Sequence, residues 1–202
     1  TTFAIPASQV VPPFIFGFNP HLAPLEESPA NARALLAEAG LSGGFDVTLH
    51  VRKILSETGA FVAAALGSVG IRVHVEELAD PEFFRAAEER RLSFFLSRYG
   101  CSTGDASDVL DAGLHTIDAA RRLGTSNHGA FSDPELDTEI AASAEVLEPT
   151  TRKERLEAIL ARVQRDLPWV PLYFDEDAYA LRNGLRFRPR ADSYVLAWEI
   201  EG

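Results

Sequence analysis

Apolar and polar positions change period several times along the chain, and each change marks an element. Ala32, Leu35, Leu36 and Ala39 recur at helical spacing behind Ser28 and Pro29. A serine accepts hydrogen bonds from the free amides of a first turn, and the fixed φ of proline suits the first helical position. The pattern therefore predicts a helix opened at Ser28 and closed by Gly40. Phe45, Val47, Leu49 and Val51 alternate with Asp46, Thr48, His50 and Arg52, the period of a half-buried strand. Residues 57–69 read as a small-residue helix carrying Phe61, Val62, Ala65, Leu66 and Val69, and Ile71, Val73 and Val75 alternate as a second strand. A charged helix over 81–91 opens at Asp80-Pro81, and Ser93–Tyr99 reads as an apolar strand. Strands separated by helices of about 10–15 residues predict parallel crossover units.

The second half is mostly helical. Gly100–Ser107 reads as a polar loop, 107–116 as a short helix with Val109, Leu110 and Leu114, and 117–130 as another polar loop. Helices over about 133–147 and 150–166 follow. The first opens at Ser132 or Asp133 before Pro134 and Glu135, and Pro168 stops the second. Trp169–Ile200 reads as strand: Val170, Leu172 and Phe174 alternate, then Tyr179–Leu181, then Tyr194, Leu196 and Trp198. Residues 1–24 carry Pro6, Pro12, Pro13, Pro20 and Pro24 among Phe14, Phe16 and Phe18. Proline lacks the N–H that ladders and helices need, so this segment is extended and pinned by its apolar side chains. No internal repeat, low-complexity tract or linker stands out, and 202 residues suit a single α/β domain.

Composition narrows the function. The net charge of −11 opposes non-specific nucleic-acid binding, which depends on Lys and Arg neutralising phosphates. One cysteine, Cys101, leaves no intramolecular disulfide. No run approaches the ~18 apolar residues of a membrane span. No signal peptide is visible, and the absence of methionine favours a processed chain or a fragment.

Six segments in order resemble the C-terminal half of the family 5 extracellular solute-binding proteins, the dipeptide-, oligopeptide- and nickel-binding proteins of bacterial ABC importers. They are Ala7–Gly17 (ASQVVPPFIFG), Ser28–Gly44 (SPANARALLAEAGLSGG), the strand–helix–strand ending in LGSVGIRVHV, Asn127 with FSDPELD, Arg152 to Leu172, and Leu181–Phe187. The resemblance covers nearly the whole chain. It implies a periplasmic-binding-protein-like lobe of the class II or cluster C type, with a mixed sheet, crossover helices and C-terminal strands. It implies residues 1–202 as one lobe of a longer, two-lobed protein whose N-terminal part is missing. The function implied is solute binding for uptake, most simply of a peptide, in a cleft that closes over the solute, without catalysis and without a cofactor. Implied partners are the missing lobe and the membrane permease subunits. The implied location is periplasmic or extracellular, membrane-associated if the full protein is a lipoprotein. A ligand-sensing module of a regulator, and binding of a sugar, opine or metal chelate, are the alternatives.

The candidate site centres on Tyr99–Asp111, YGCSTGDASDVLD, which follows a strand and precedes a helix. In α/β sheets ligands sit beyond the carboxyl ends of strands. The resemblance implies that Asp105 faces the solute and can meet a peptide's amino terminus, with Tyr99 as a wall where the family usually has Trp. Asp105 and Asp108 equally suit caps of the 107–116 helix. Arg52, at the end of the first strand, suits a solute carboxylate, or is a solvated strand end. Cys101 lines the same loop and is inert packing or cleft lining rather than a nucleophile. His21, His50, His74, His115 and His128 include no i, i+4 pair of the zinc-helix kind. No Gly-x-Ser-x-Gly elbow and no phosphate-binding glycine loop is present.

Overall fold

The computed structural model describes residues 4–190 and 192–202, so the extended reading of 1–24 and the strand reading of 169–200 lie partly outside the described residues. In chain order the elements are β1 (Ala4–Pro6), α1 (Pro29–Glu38), β2 (Asp46–Arg52), α2 (Ser56–Gly67), β3 (Arg72–Leu78) and α3 (Asp80–Glu88). They continue with β4 (Phe95–Leu96), the single helical turn α4 (Ser107–Val109), α5 (Pro134–Ala144), α6 (Pro149–Asp166) and β5 (Tyr173–Asp175). A wide π turn, Leu110–Leu114, follows α4. The chain divides into two units, one comprising residues up to 24, 101–111 and 134–202, the other 25–100 and 112–133.

The second unit is built on the parallel sheet that the alternating pattern predicts. Its order is β3-β2-β4, with Leu49 paired to Val75 and Val51 to Leu96. Central β2 buries Leu49 and Val51. Phe83, Ala86 and Ala87 of α3 pack with Leu92, backed by Leu78 and Phe95. The three main helices of this unit end alike. The Leu41 amide reaches the Leu36 carbonyl past Gly40 (φ 75°), Ile71 reaches Leu66 past Gly70 (φ 99°), and Arg91 reaches Ala86 past Arg90 (φ 55°). Each is the left-handed cap that satisfies a helix's last carbonyls. At α1 the Ser28 Oγ accepts from the Asn31 amide as expected, at 3.3 Å. No residue of α1 is fully buried, however, and Leu35 is 64% exposed. The caps define that helix more than its apolar stripe does.

Two strand expectations shorten. The 93–99 strand reduces to Phe95–Leu96, because β2 offers partners only through His50 and Val51, and Ser97, Arg98 and Tyr99 run out exposed. The C-terminal strands reduce to β5, paired antiparallel with β1, and an isolated bridge between Arg186 and Glu201. Pro168, Pro171 and Pro189 withhold amides there. Tyr194, Leu196 and Trp198 do not form a strand: residues 197–199 make a 3₁₀ turn, and Trp198 is 79% exposed.

The first unit is organised by α6. Leu156, Ile159, Leu160 and Val163 form its buried stripe, and α6 packs on α5, which buries Leu136 and Ile140. The proline-rich segment docks through side chain to backbone bonds, which supply the pairing its prolines deny. Gln9 Nε2 donates to the Asn19 carbonyl (2.8 Å) and its Oε1 accepts from the Asn19 amide (3.0 Å). Asn19 Nδ2 donates to the Glu157 carbonyl (3.0 Å), and Gln164 Nε2 donates to the carbonyls of Ser8 (2.6 Å) and Ala23 (2.8 Å). Gly17, at φ 91°, lets the segment pass α6 closely: a Cβ there would lie 2.8 Å from that of Leu156.

Glu148 caps α6 by accepting from the amides of Thr150 and Thr151. The backbone bond from Thr151 is the main cause that lowers its carboxyl from 4.5 to about 2. A lowered carboxyl contributes stability above its unfolded value and loses that contribution as pH falls through the folded one. Glu148→Gln should therefore melt at lower temperature at neutral pH. Its loss of melting temperature between pH 4.5 and about 2 should be shallower than that of the parent. Parallel melting curves over that range would contradict the role.

Candidate functional site

The loop after β4 is tied down by its own acidic side chains. Asp108 Oδ2 accepts from the Ser102 amide (2.7 Å), the Ser102 hydroxyl (3.0 Å) and the Thr103 amide (3.2 Å). Asp108 therefore braces the preceding loop; it does not cap the helix, since it already lies within α4. Asp105 instead ties the entry to α4: its Oδ1 accepts from the Ser107 amide at 2.9 Å. The Cys101 thiol donates to the Asp105 carbonyl at 3.1 Å. Burial, with the Asp108 carboxylate nearby, pushes that thiol above its ordinary value, which disfavours the nucleophilic thiolate. Phe16 pairs with this loop through its backbone: its amide donates to the Gly104 carbonyl (2.9 Å) and its carbonyl accepts from the Ala106 amide (2.9 Å).

Asp105 has a charged partner. Arg152, in the first turns of α6, donates through both terminal nitrogens, Nη1 to Oδ2 and Nη2 to Oδ1, the latter at 3.0 Å. The guanidinium lies 5.5 Å over the Phe16 ring, a cation–π contact that adds to its fixation. Burial pushes the Asp105 carboxyl upward, but the bonds from Arg152 and Ser107 outweigh it and hold the group below the usual range. The Arg152 guanidinium is correspondingly raised, first by the bond to Asp105. Both side chains keep some contact with solvent, 20% for Arg152 and 26% for Asp105.

The other two candidates lie in the second unit, at the carboxyl ends of adjacent parallel strands. Arg52 ends β2 and Tyr99 follows β4. After β2 the chain crosses to β3, and it then returns past β2 to form β4. Carboxyl ends at such a change of direction are where open α/β sheets bind ligands. Arg52 is neither free nor merely solvated. It forms a two-point pair with Asp80, Nε to Oδ1 at 3.0 Å and Nη2 to Oδ2, and lies 4.9 Å over the Phe84 ring. A solute carboxylate at Arg52 would have to compete with Asp80.

Asp80, Phe16 and Arg152 are the residues that sequence reasoning passed over. Each carried a signal of another kind. Asp80 read as a helix start, Phe16 as an apolar anchor, and Arg152 as the first residue of a family-like motif. The motif residue Asn127 is structural. It is buried; its Nδ2 donates to the carbonyls of His115 (3.0 Å) and Phe131 (2.7 Å), and its Oδ1 accepts from the Phe131 amide (3.0 Å). His50 meets the Phe94 carbonyl (3.3 Å) and Glu76 (3.7 Å). Among the described residues no three His, Cys, Asp or Glu side chains group as metal ligands. Nor, among those residues, is any helix long and apolar enough to cross a membrane.

No family model matches the chain. Among curated proteins it is 27% identical over 186 residues to the glutathione-binding protein GsiB of Salmonella paratyphi A, covering 86% of this chain and 35% of that protein. The GsiB protein of Escherichia coli matches with the same identity and coverage. Among solved structures, the periplasmic binding protein DppA of Helicobacter pylori, in complex with the peptide STSA, superposes with a TM-score of 0.79 at 22% identity. That match covers 86% of this chain and 34% of that one. HbpA2 of Haemophilus parasuis superposes with a TM-score of 0.83 at 20% identity, over 98% of this chain and 40% of that one. The chain thus spans about a third of the curated relatives' length. Sequence and fold together bear out the resemblance to the C-terminal lobe of the family 5 extracellular solute-binding proteins, and the chain is a relative of these glutathione- and peptide-binding proteins.

Proposed function

We propose that the chain serves solute uptake by an ABC importer, binding a peptide-like solute outside the cytoplasmic membrane and doing no chemistry on it. The sequence match to glutathione-binding proteins carries this reading. The geometry supports it. Asp105 is an ordered, partly exposed carboxylate on a loop braced by Asp108 and Cys101. Arg52 and Tyr99 occupy strand carboxyl ends in the other unit, the position where sheets of this kind bind ligands. The raised Cys101 thiol and the ion-paired Asp105 suit binding better than acid–base or nucleophilic work. The rest of the relatives' length and a membrane permease are the partners this function requires.

Titration of the isotope-labelled full-length protein with reduced glutathione and with the dipeptide Met-Leu, followed by amide NMR, tests the proposal. The amides of 101–108 should shift, and Asp105→Ala should weaken the response about tenfold. If neither solute moves any amide, the proposal fails.

A further inference from the structure

The hydrogen-bonding state of Asp105 carries an inference about which solute group it accepts, and this inference rests on the uptake reading above. A carboxylate offers about four acceptor positions. On Asp105, Oδ1 is taken by Arg152 Nη2 and the Ser107 amide, and Oδ2 by Arg152 Nη1. The Ser107 side chain also bears on the carboxylate, so at most one position, on Oδ2, is left. The pair is also close to neutral in charge, since the guanidinium cancels the carboxylate at hydrogen-bonding distance. An ammonium group needs up to three acceptors and draws on an uncompensated negative charge. An amide N–H or a hydroxyl needs one acceptor and no net charge.

We infer that Arg152 is a positioning residue that sets the specificity of Asp105: the carboxylate accepts a single hydrogen bond from a neutral donor of the solute, a peptide amide or a hydroxyl, and does not anchor a free ammonium group. Arg152 is well placed for this. It is held from one side by the Phe16 ring, and Asp111 adds a further favourable charge. It approaches from α6, while the loop that carries Asp105 is fixed independently by Ser102, Thr103 and Phe16. Loss of Arg152 would therefore uncover a carboxylate whose loop remains in place.

The test compares two small probes on the isotope-labelled full-length protein by amide NMR. Glycinamide carries an ammonium group; N-acetylglycinamide replaces it with an amide. In the parent protein the acetylated probe should shift the Asp105 and Ser107 amides with at least the affinity of glycinamide. Arg152→Gln should reverse the order, glycinamide gaining about tenfold relative to its acetylated form. Arg152→Lys, which keeps a cation beside Asp105, should retain the parent's order. A purely structural Arg152 would weaken both probes alike and reverse nothing. A tenfold preference for glycinamide in the parent protein overturns the inference, and so does an unchanged order in a folded Arg152→Gln variant. If Arg152→Gln does not fold, the parent comparison decides alone. If neither probe moves these amides while glutathione or Met-Leu binds, the inference fails and the uptake reading stands. If none of the four moves any amide, both fail.

Discussion

Phe83→Ala is expected to destabilise the protein by about 3–5 kcal/mol, the range for deleting a buried aromatic ring. Phe83 is 1% exposed, at the centre of the cluster with Ala86, Ala87 and Leu92. Its ring meets those of Phe84 and Phe95 edge to face, with centroids 5.7 and 6.1 Å away, so the loss includes aromatic pairing as well as transfer and cavity terms. The neighbouring alanines cannot grow to fill the space. Phe83→Leu keeps most of the volume and should cost less than about 2 kcal/mol. Urea denaturation followed by circular dichroism separates the two variants. A loss under about 1 kcal/mol for the alanine variant would mean that this cluster does not hold α3 to the sheet.

Asn127→Ala should cost about 3 kcal/mol, because it removes hydrogen bonds to three backbone groups at once, each bond worth about 1 kcal/mol. Those groups are the carbonyls of His115 and Phe131 and the amide of Phe131. Asn127→Asp gives a finer test. The carboxylate keeps an acceptor for the Phe131 amide but turns two donor contacts into repulsions. Hydrogen exchange of the Phe131 amide should then be fast in the alanine variant and protected in the aspartate variant, although both are destabilised. Equal protection in both would contradict the assigned bonds.

These two residues show what was legible in the sequence. Asn127 entered through a family-like motif, whereas Phe83 lay in a helix read only as charged, its burial hidden because its partners Leu92 and Phe95 come from later elements. Local patterns did expose Ser28 as a cap, Gly40 as a stop, and the alternation along β2 and β3. What failed depended on partners far away in sequence. The 169–200 alternation looked like strands, but a strand needs a neighbour, and only β1 supplies one among the described residues. The candidate site was half legible for the same reason. Asp105 and Arg52 could be picked out from strand-end loops. Their counter-charges could not, because Arg152 is 47 residues from Asp105 and Asp80 is 28 from Arg52. Those partners change the chemistry. Two candidate charges that seemed available to a solute are already paired, and the polar contacts open to a solute are fewer and more neutral than the sequence implied.

Native mass spectrometry of the protein, purified from cells without denaturation, tests the central claim most directly. A co-purified peptide or related small solute that is lost on Asp105→Ala is the expected result. A protein that arrives empty, and stays empty after incubation with glutathione and with dipeptide mixtures, would contradict it.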